Sequence, residues 1–433
     1  MSGPIDLSLP DGLEYGIIET DDELEELIAY NSAIHEPRDG ETLRRLVEHQ
    51  PGFDLKMNYY IRDTDSGKIV SSLNAIPSAW AYDGIPIKNL ELGFVGTLEA
   101  YRKKGLIRKL YYRYFEKEFH RGKYHISNIQ GIPYFYRQFG YDFLIPAWRS
   151  ILLRTNQIPA VPSDKKPDWM RLSIRGATKA NLNDIIELYD RLTSPLLVST
   201  IRDRPLWELQ EKFHLDFSRE FTTYVVKSGE AVVGYFRLVS RENEKEPENS
   251  YLQVIESSIS RIDGVRRTLE FLRSQCAERG FHQIALSGAT TSNLSRIGLD
   301  LGGQMNRGWK HQLRIRDMTQ FLKRIRPALE RRLRNTMFAD LTQEMAINTY
   351  RHRYVLDFQD GRIRDINDLG VHEDGKYLDF RTPPSDFVRL LLGQYSPEEL
   401  SHQNIDFIVQ GPVKSLVETL FPKQESFIGY YFC

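Results

Sequence analysis

The residues with the clearest chemical potential are Arg102-Lys103-Lys104-Gly105. An expected strand ends at Thr97 just before them, and an expected helix begins within them. A helix start turns its first backbone N–H groups toward one spot, where the helix dipole is also positive. Such a start can cradle a phosphate. Gly105 would let the backbone approach without a Cβ in the way. Arg102, Lys103, Lys104 and Arg108 could add charge-assisted contacts. Taken alone, the same residues read first as an ordinary charged helix start with a turn glycine. The Walker and dinucleotide glycine fingerprints are both absent.

A second group lies beyond the next expected strand, in IPYFYRQFGYDFLIPAW, 132–148. A phenol such as Tyr136, with an ordinary pKa of ~10, can serve as a general acid. The plainer reading is a core tyrosine with a satisfied hydroxyl. Tyr134 and Tyr141 read as packing residues. His35 and Glu36, between the first two expected helices, could line an acceptor pocket or stand in a solvated loop. His120, His125, His282 and His311 lack metal-ligand spacing, so no metal is expected. The run KRIRPALERRLR, 323–334, has six bases and one acid. It would suit an anionic partner or a membrane surface, or simply form a solvated helix face.

The elements that must position these groups fall into three blocks. In 1–155, helices are expected over 21–31 and 39–49, then strands over 59–62, 68–76 and 87–97. A long helix over 103–121, a strand over 124–130, a short helix near 134–139 and a strand over 143–154 follow. That order predicts a mixed sheet with helices on its faces, an α/β class. A proline-bearing linker covers 155–169. The block 170–315 repeats the plan loosely: a strand at 172–177, a helix at 180–192, a hairpin at 222–239, a strand at 251–257, a helix at 265–279 and a strand at 282–287. The block 316–433 opens with a helix over 318–334, where Pro327 should kink or restart it. Strands near 349–358 and 362–365 and helices near 386–392 and 413–420 complete a small α+β unit. The apolar tail SFIGYYFC is expected to dock.

Composition excludes several classes. Among 433 residues, 41% are hydrophobic and 27% charged, and Lys+Arg 58 against Asp+Glu 59 gives a formal net charge of -1. That is a folded chain without the global basic field a nucleic acid would need, and no nucleic-acid partner is expected. No apolar stretch approaches the ~20 residues of a membrane span. The N-terminus has no basic region followed by an apolar core, so no signal peptide is expected there. The two cysteines, Cys276 and Cys433, make neither a disulfide framework nor a cysteine-rich zinc site. A reduced, cytoplasmic protein is expected.

The order strand, R-x-x-G loop, helix, strand, then F-Y-x-x-F-G-Y resembles the GNAT superfamily of N-acetyltransferases. Arg102–Ile107 is similar to their acetyl-CoA pyrophosphate loop, and Phe135–Tyr141 to their following helix. The usual Gly or Ala at the end of that loop is Ile107 here. Over the whole chain the three blocks resemble the Eis (enhanced intracellular survival) branch: an active GNAT domain, a degenerate GNAT-like one and a sterol-carrier-like C-terminal domain. The second block carries Arg261-Ile262-Asp263-Gly264, with an acid where a phosphate would sit.

The resemblance implies an acetyl-CoA-dependent transfer to a small amine or a protein lysine by direct attack. It assigns Val95, Gly96 and Thr97 to the pantetheine arm, through a strand splayed from its neighbour at 124–130. It assigns Arg102, Lys103, Lys104, Gly105, Leu106, Ile107 and Arg108 to the phosphates, and makes Tyr136 the general acid. As in the N-myristoyltransferases, it makes the chain's terminal carboxylate, here on Cys433, the base. It also implies a homo-oligomer. Two other functions stand beside it: a non-catalytic acyl-CoA or lipid-binding sensor, and a twin-GNAT transferase using an aminoacyl-tRNA or a long acyl donor.

Overall fold

Local sequence starts the first helix. Thr20 accepts a hydrogen bond from the Glu23 N–H, and Glu23 accepts from the Thr20 N–H, so two orphan donors are satisfied reciprocally. From that cap, Leu24, Leu27 and Ile28 recur at helical spacing and are buried. The computed structural model describes residues 5–147, 149–161, 167–213, 215–216, 219–288, 292–371 and 380–429.

The chain begins with β1 (Leu13–Ile17), α1 (Asp21–Ile34), α2 (Pro37–His49), β2 (Asn58–Asp63), β3 (Ile69–Tyr82) and β4 (Ile85–Thr97). Next, α3 (Leu106–Leu110) runs through a π-helical stretch (Tyr111–Phe115) into α4 (Glu116–Arg121), and β5 (Ile126–Ile129), β6 (Asp142–Ala147) and β7 (Ser150–Arg154) follow. The middle of the chain gives β8 (Ser173–Gly176), α5 (Leu182–Thr193), β9 (Val198–Thr200), α6 (Arg204–Phe213), β10 (Leu215–Asp216), β11 (Arg219–Ser228), β12 (Ala231–Arg241) and β13 (Tyr251–Ser257). It continues with α7 (Ile262–Arg279), β14 (Gln283–Ser287), α8 (Asn293–Asp300), β15 (Gln304–Met305) and β16 (Trp309–Ile315). The remainder is α9 (Met318–Leu333), β17 (Gln343–Asn348), β18 (Arg353–Gln359), β19 (Arg362–Asp368), β20 (Phe380–Arg381), α10 (Pro384–Leu391), α11 (Pro397–Gln403), β21 (Ile408–Val409) and α12 (Gly411–Leu420).

Three sheets organise these elements. The first runs β1-β2-β3-β4-β5-β16-β6, with β9 also on β3; the second runs β10-β11-β12-β13-β14-β7-β15, with β8 on β11; the third runs β19-β18-β17-β20-β21. The class is mixed α/β, as expected. Two strands cross between the first two sheets. The chain leaves the first sheet at Ala147 and enters the second at Ser150, so the expected single strand 143–154 is two strands in different sheets. Asn306 pins that crossover: its N–H donates to the Ser150 carbonyl, its Nδ2 to the Ser150 hydroxyl, and its Oδ1 accepts the Ser150 N–H. In return β16 fills the slot between β5 and β6.

Other expectations also change. Pro327 does not restart the helix: α9 runs through it from Met318 to Leu333. It sits on the exposed side, where water can satisfy the carbonyl it leaves unbonded, while Phe321, Leu322, Ile325, Ala328, Leu329 and Leu333 bury the opposite stripe. The expected strand 349–358 begins only at Arg353 as β18, because 349–352 form the turn of its hairpin with β17, where the Asn348 side chain accepts the Tyr350 N–H and Tyr350 takes a positive φ. Strand β1 and helix α6 lie where no element was expected. The basic run of α9 is spent inside the chain: Arg331 and Arg332 hold Asp83, Lys323 holds Asp365, and Arg324 reaches the Pro86 carbonyl. Among the described residues no helix is long and apolar enough to cross a membrane.

His311 on β16 is buried, and burial lowers its pKa to about 4. The ordinary value is near ~6.5, so below that the unfolded chain binds a proton the folded chain refuses. Stability should therefore fall as pH drops from ~6.5 toward 4, by at most ~1.4 kcal/mol per unit for one histidine. His125, also lowered to about 4, adds in the same direction. The slope of urea-denaturation stability against pH should flatten in His311→Gln; an unchanged slope would clear His311 of this role.

Candidate active site

One inserted residue shapes the site. Along β3 and β4, Ser72 faces Gly96 and Asn74 faces Gly93, so Leu73 faces both Phe94 and Val95. Phe94 takes φ +44°, and this bulge re-aims the strand end. On its other side β4 pairs with β5 only from Asn89 to Glu91. Beyond Glu91 the described strands part, which agrees with the expected splay. A cleft of about 380 Å³ opens there, with Leu92, Gly93, Phe94 and Val95 on one wall and Ile129, Gln130, Gly131 and Ile132 on the other.

Tyr136 reaches this cleft from the 3-10 turn Phe135–Phe139. Its ring packs so closely on Gly131 that a Cβ there would lie 2.0 Å from a ring carbon. Burial, with Tyr141 adding, pushes its phenol well above the ordinary value. Tyr141 is buried and bonds Ser127 at 2.6 Å, a packing role as expected. Tyr134 is not a packing residue: it is 77% exposed, at φ +70°. At the far rim stand His35, Asp39 and Thr42, with Glu91 and Ile76 deeper in. The wall around the His35 imidazole holds it below its ordinary value, against the pull of Asp39. Glu36 does not join the cleft; it faces solvent and pairs with Arg38.

At its other end β4 leads to the R-x-x-G loop. The Arg102 Nε donates to the Thr97 carbonyl at 3.2 Å, and the Thr97 hydroxyl meets that of Ser71 at 2.8 Å. Gly105 caps α3 in the left-handed region at φ +70°, and an added Cβ there would meet no atom within 4 Å. At the start of α3 the Lys109 N–H donates to the Gly105 carbonyl at 3.1 Å. The amides of Leu106, Ile107 and Arg108 therefore belong to the turn that lacks helical acceptors. Leu106 is buried and Ile107 half-buried, so it is their backbone that faces the loop. Arg102, Lys103, Lys104 and Arg108 are exposed, and among the described residues none pairs with a carboxylate. An open left-handed cap beside four exposed cations without carboxylate partners has the charge an anion site needs.

The corresponding start in the second unit is already filled. The Asp263 carboxylate accepts the Gly264 N–H at 2.9 Å and pairs with Arg261 at 2.6 Å. Cys276 lies buried in that unit, its thiol pushed up to about 11 by burial. Cys433 lies outside the described residues. No group of histidines, cysteines and carboxylates among the described residues could hold a metal ion.

Residues 19–144 match the family model described as an acetyltransferase (GNAT) domain. The fold is that of the GNAT acetyltransferases. A GCN5-related N-acetyltransferase from Anabaena variabilis superposes with TM-score 0.69 at 13% identity, covering 97% of this chain and 100% of its own. A probable N-acyltransferase from Enterococcus faecalis gives 0.69 at 14%, covering 97% and 99%. Eis1 from Mycobacterium abscessus gives 0.60 at 14%, covering 97% and 100%. No curated protein matches the sequence. The GNAT match supports acyl transfer as the general activity.

Of the residues that line the cleft, sequence reasoning names Val95, Tyr136 and His35 but not Asp39, Thr42, Ile76, Glu91, Gln130 or Gly131. One signal was present: Glu91 stands between Leu90 and Leu92 in an apolar strand. If the cradle holds a pyrophosphate, Gly105→Glu should abolish acetyl-CoA binding by calorimetry. Gly105→Ala, which bears the same left-handed strain without the charge, should bind far better. Arg102→Ala should weaken binding by about 1.5–3 kcal/mol, the worth of one charge-assisted bond. Titration should reach one CoA per chain, since Asp263 repels a second; two per chain would overturn that reading.

Proposed function

We propose that this chain is an Eis-like acyltransferase of the EC 2.3.1 class. It moves the acetyl group of acetyl-CoA directly to an amine, either a small molecule or a protein lysine. The observation that carries this reading is the coincidence, on one strand, of the phosphate cradle after Thr97 and the splayed cleft before it. Val95, Gly96 and Thr97 join the two and would run beside a pantetheine arm. Asp39 and Glu91 give the cleft acidic groups, which favour a cationic acceptor. Holding donor and acceptor in one cleft supplies most of what direct transfer requires.

Tyr136 is the proton donor to the departing thiolate in this reading. Burial raises its phenol, so it stays protonated through and above pH ~10, and no alkaline loss of turnover below that is expected from it. The terminal carboxylate of Cys433 remains the proposed base. Its support is the path of the described tail. Phe427 donates its N–H to the Val198 carbonyl at 3.0 Å, and Gly429 accepts from the Thr200 hydroxyl at 3.3 Å. The tail thus runs parallel to β9, the direction that leads along β3 from Trp80 toward the cleft residue Ile76. The Eis resemblance extends the proposal to a degenerate middle GNAT unit, a sterol-carrier-like last unit and a homo-oligomer. The scarcity of cysteine favours a reducing, cytoplasmic setting.

The test is free-CoA release from acetyl-CoA with a panel of amines. Acetyl-CoA binding with no transfer to any amine would favour the non-catalytic sensor. Tyr136→Phe keeps the ring and removes the proton, so turnover should fall ~10²–10⁴-fold with acetyl-CoA affinity unchanged. A few residues added after Cys433 should also suppress turnover in a folded protein. Full activity of that extended chain would eliminate the carboxylate as base.

A further inference from the structure

The cleft wall carrying Gly131 and Ile132 is held by a residue 180 positions further along the chain. Gln312 on β16 is fully buried, and its Nε2 donates to the Gly131 carbonyl at 2.8 Å and lies 3.5 Å from the Ile132 carbonyl. Both neighbours are carbonyl oxygens, so the amide must turn its nitrogen toward them. Its Oε1 is buried without a partner, which leaves the donor as the side of the amide that the site uses. Gly131 in turn is the surface against which the Tyr136 ring packs. The chain of contact is therefore short: Gln312, the Gly131 carbonyl, the Gly131 Cα, the Tyr136 ring.

Gly131 cannot hold this place by itself. It lies just past the end of β5, where pairing with β4 has ceased and the cleft is open. A glycine there has no side chain to anchor it and the widest conformational freedom of any residue. Without Gln312, its half-buried carbonyl would lose this bond.

We propose that Gln312 is a positioning residue for acyl transfer: by fixing Gly131 it sets where the Tyr136 hydroxyl stands, so the second half of the chain completes the site of the first. This rests on the assignment of Tyr136 as the acid. Gln312 touches neither the cradle nor the cleft surface, so it acts on the placement of the proton and not on acetyl-CoA binding.

Gln312→Met keeps the length and removes the donor, and Gln312→Glu sets a carboxylate against two carbonyl oxygens. In the full chain kcat should fall about 10- to 100-fold in Gln312→Met, the scale of a small misplacement, and further in Gln312→Glu. The KM for acetyl-CoA and its dissociation constant should stay at the wild-type values. Peptide-level hydrogen exchange over residues 130–139 should rise in both variants, while the peptide 98–110 keeps its wild-type rate. Wild-type kcat in Gln312→Met, or unchanged exchange over 130–139, would overturn the proposal. So would a loss in kcat that merely follows the unfolded fraction measured in the same samples. If the wild-type chain transfers to no amine, the acyltransfer reading falls instead, while exchange over 130–139 still reports whether Gln312 pins Gly131.

Discussion

The structure depends most on a reciprocal exchange of strands. β7 leaves the first half of the chain to pair with β14 and β15, and β16 returns to separate β5 from β6. Neither large sheet is complete without the other's strand. A strand slot left open in the first sheet would expose the ladder groups of both β5 and β6, and unpaired buried backbone groups are expensive. Arg314, two residues past Gln312, ties the exchange to the helical layer. Its guanidinium bonds Glu116 and, at 2.6 Å, the Tyr111 hydroxyl within the π-helical stretch. Tyr111 stacks on Phe139 with ring centroids 4.2 Å apart, and Phe139 ends the turn that carries Tyr136. The site therefore belongs to both halves of the chain.

The two units share a plan but differ in the charge at one helix start. After Thr97 the loop brings four cations and a bare left-handed glycine to the first turn of α3. At α7 the matching turn carries its own acid, and that carboxylate already occupies the Gly264 amide. A helix start favours one negative charge over none, whichever molecule supplies it. At α7 the chain itself supplies that charge and so makes its own cap. At the start of α3 it supplies cations instead, and on the proposed reading the negative charge would come from a bound phosphate.

What the sequence disclosed follows from how far apart the determining residues lie. Helices α1 and α2, the β3–β4 pair with its Asp83-Gly84 turn, and the loop that leads into α3 were legible because caps, apolar periods and turn residues act within a few positions. Tyr136 was legible only through the resemblance, since its burial and its packing on Gly131 are tertiary facts. The crossing of β7 and β16 was not legible: strands 143–147 and 150–154 read as one apolar run, and Asn306, which pins the break, lies more than 150 residues away. Residues 309–315, with Lys310, His311, Gln312 and Arg314 in a row, lack the alternation of a half-buried strand; they are polar because they serve loops, helices and the sheet interior together. At Pro327 the expected restart did not occur, because the proline lies on the exposed face of α9, where water can satisfy the carbonyl it leaves unbonded.

The third sheet's helices explain how the far end of the cleft strand is held. β3 supplies Ile76 to the cleft and ends at Tyr82, whose hydroxyl donates to the Leu391 carbonyl at 2.7 Å. Asp83, at the turn that follows, receives Arg331 and Arg332 from α9. Along the same edge β9 pairs with Trp80–Tyr82, and the tail pairs with β9. Beneath the tail, Gly429 lies against Arg202 and Glu256, a fully buried ion pair to which Tyr235 adds a hydrogen bond at 2.8 Å. Such a pair contributes little net stability, but removing one partner strands a charge in the interior and is costly. Only a glycine fits over it, because any Cβ at 429 would collide with the Arg202 guanidinium. The pair thus acts as a selector of register: a tail shifted by one residue would drive a side chain into it. Strand β9 of the first sheet and the Arg202–Glu256 pair, with Glu256 on the second, therefore fix the course of the tail beside β9, and that course is what any chemistry carried by the tail would depend on.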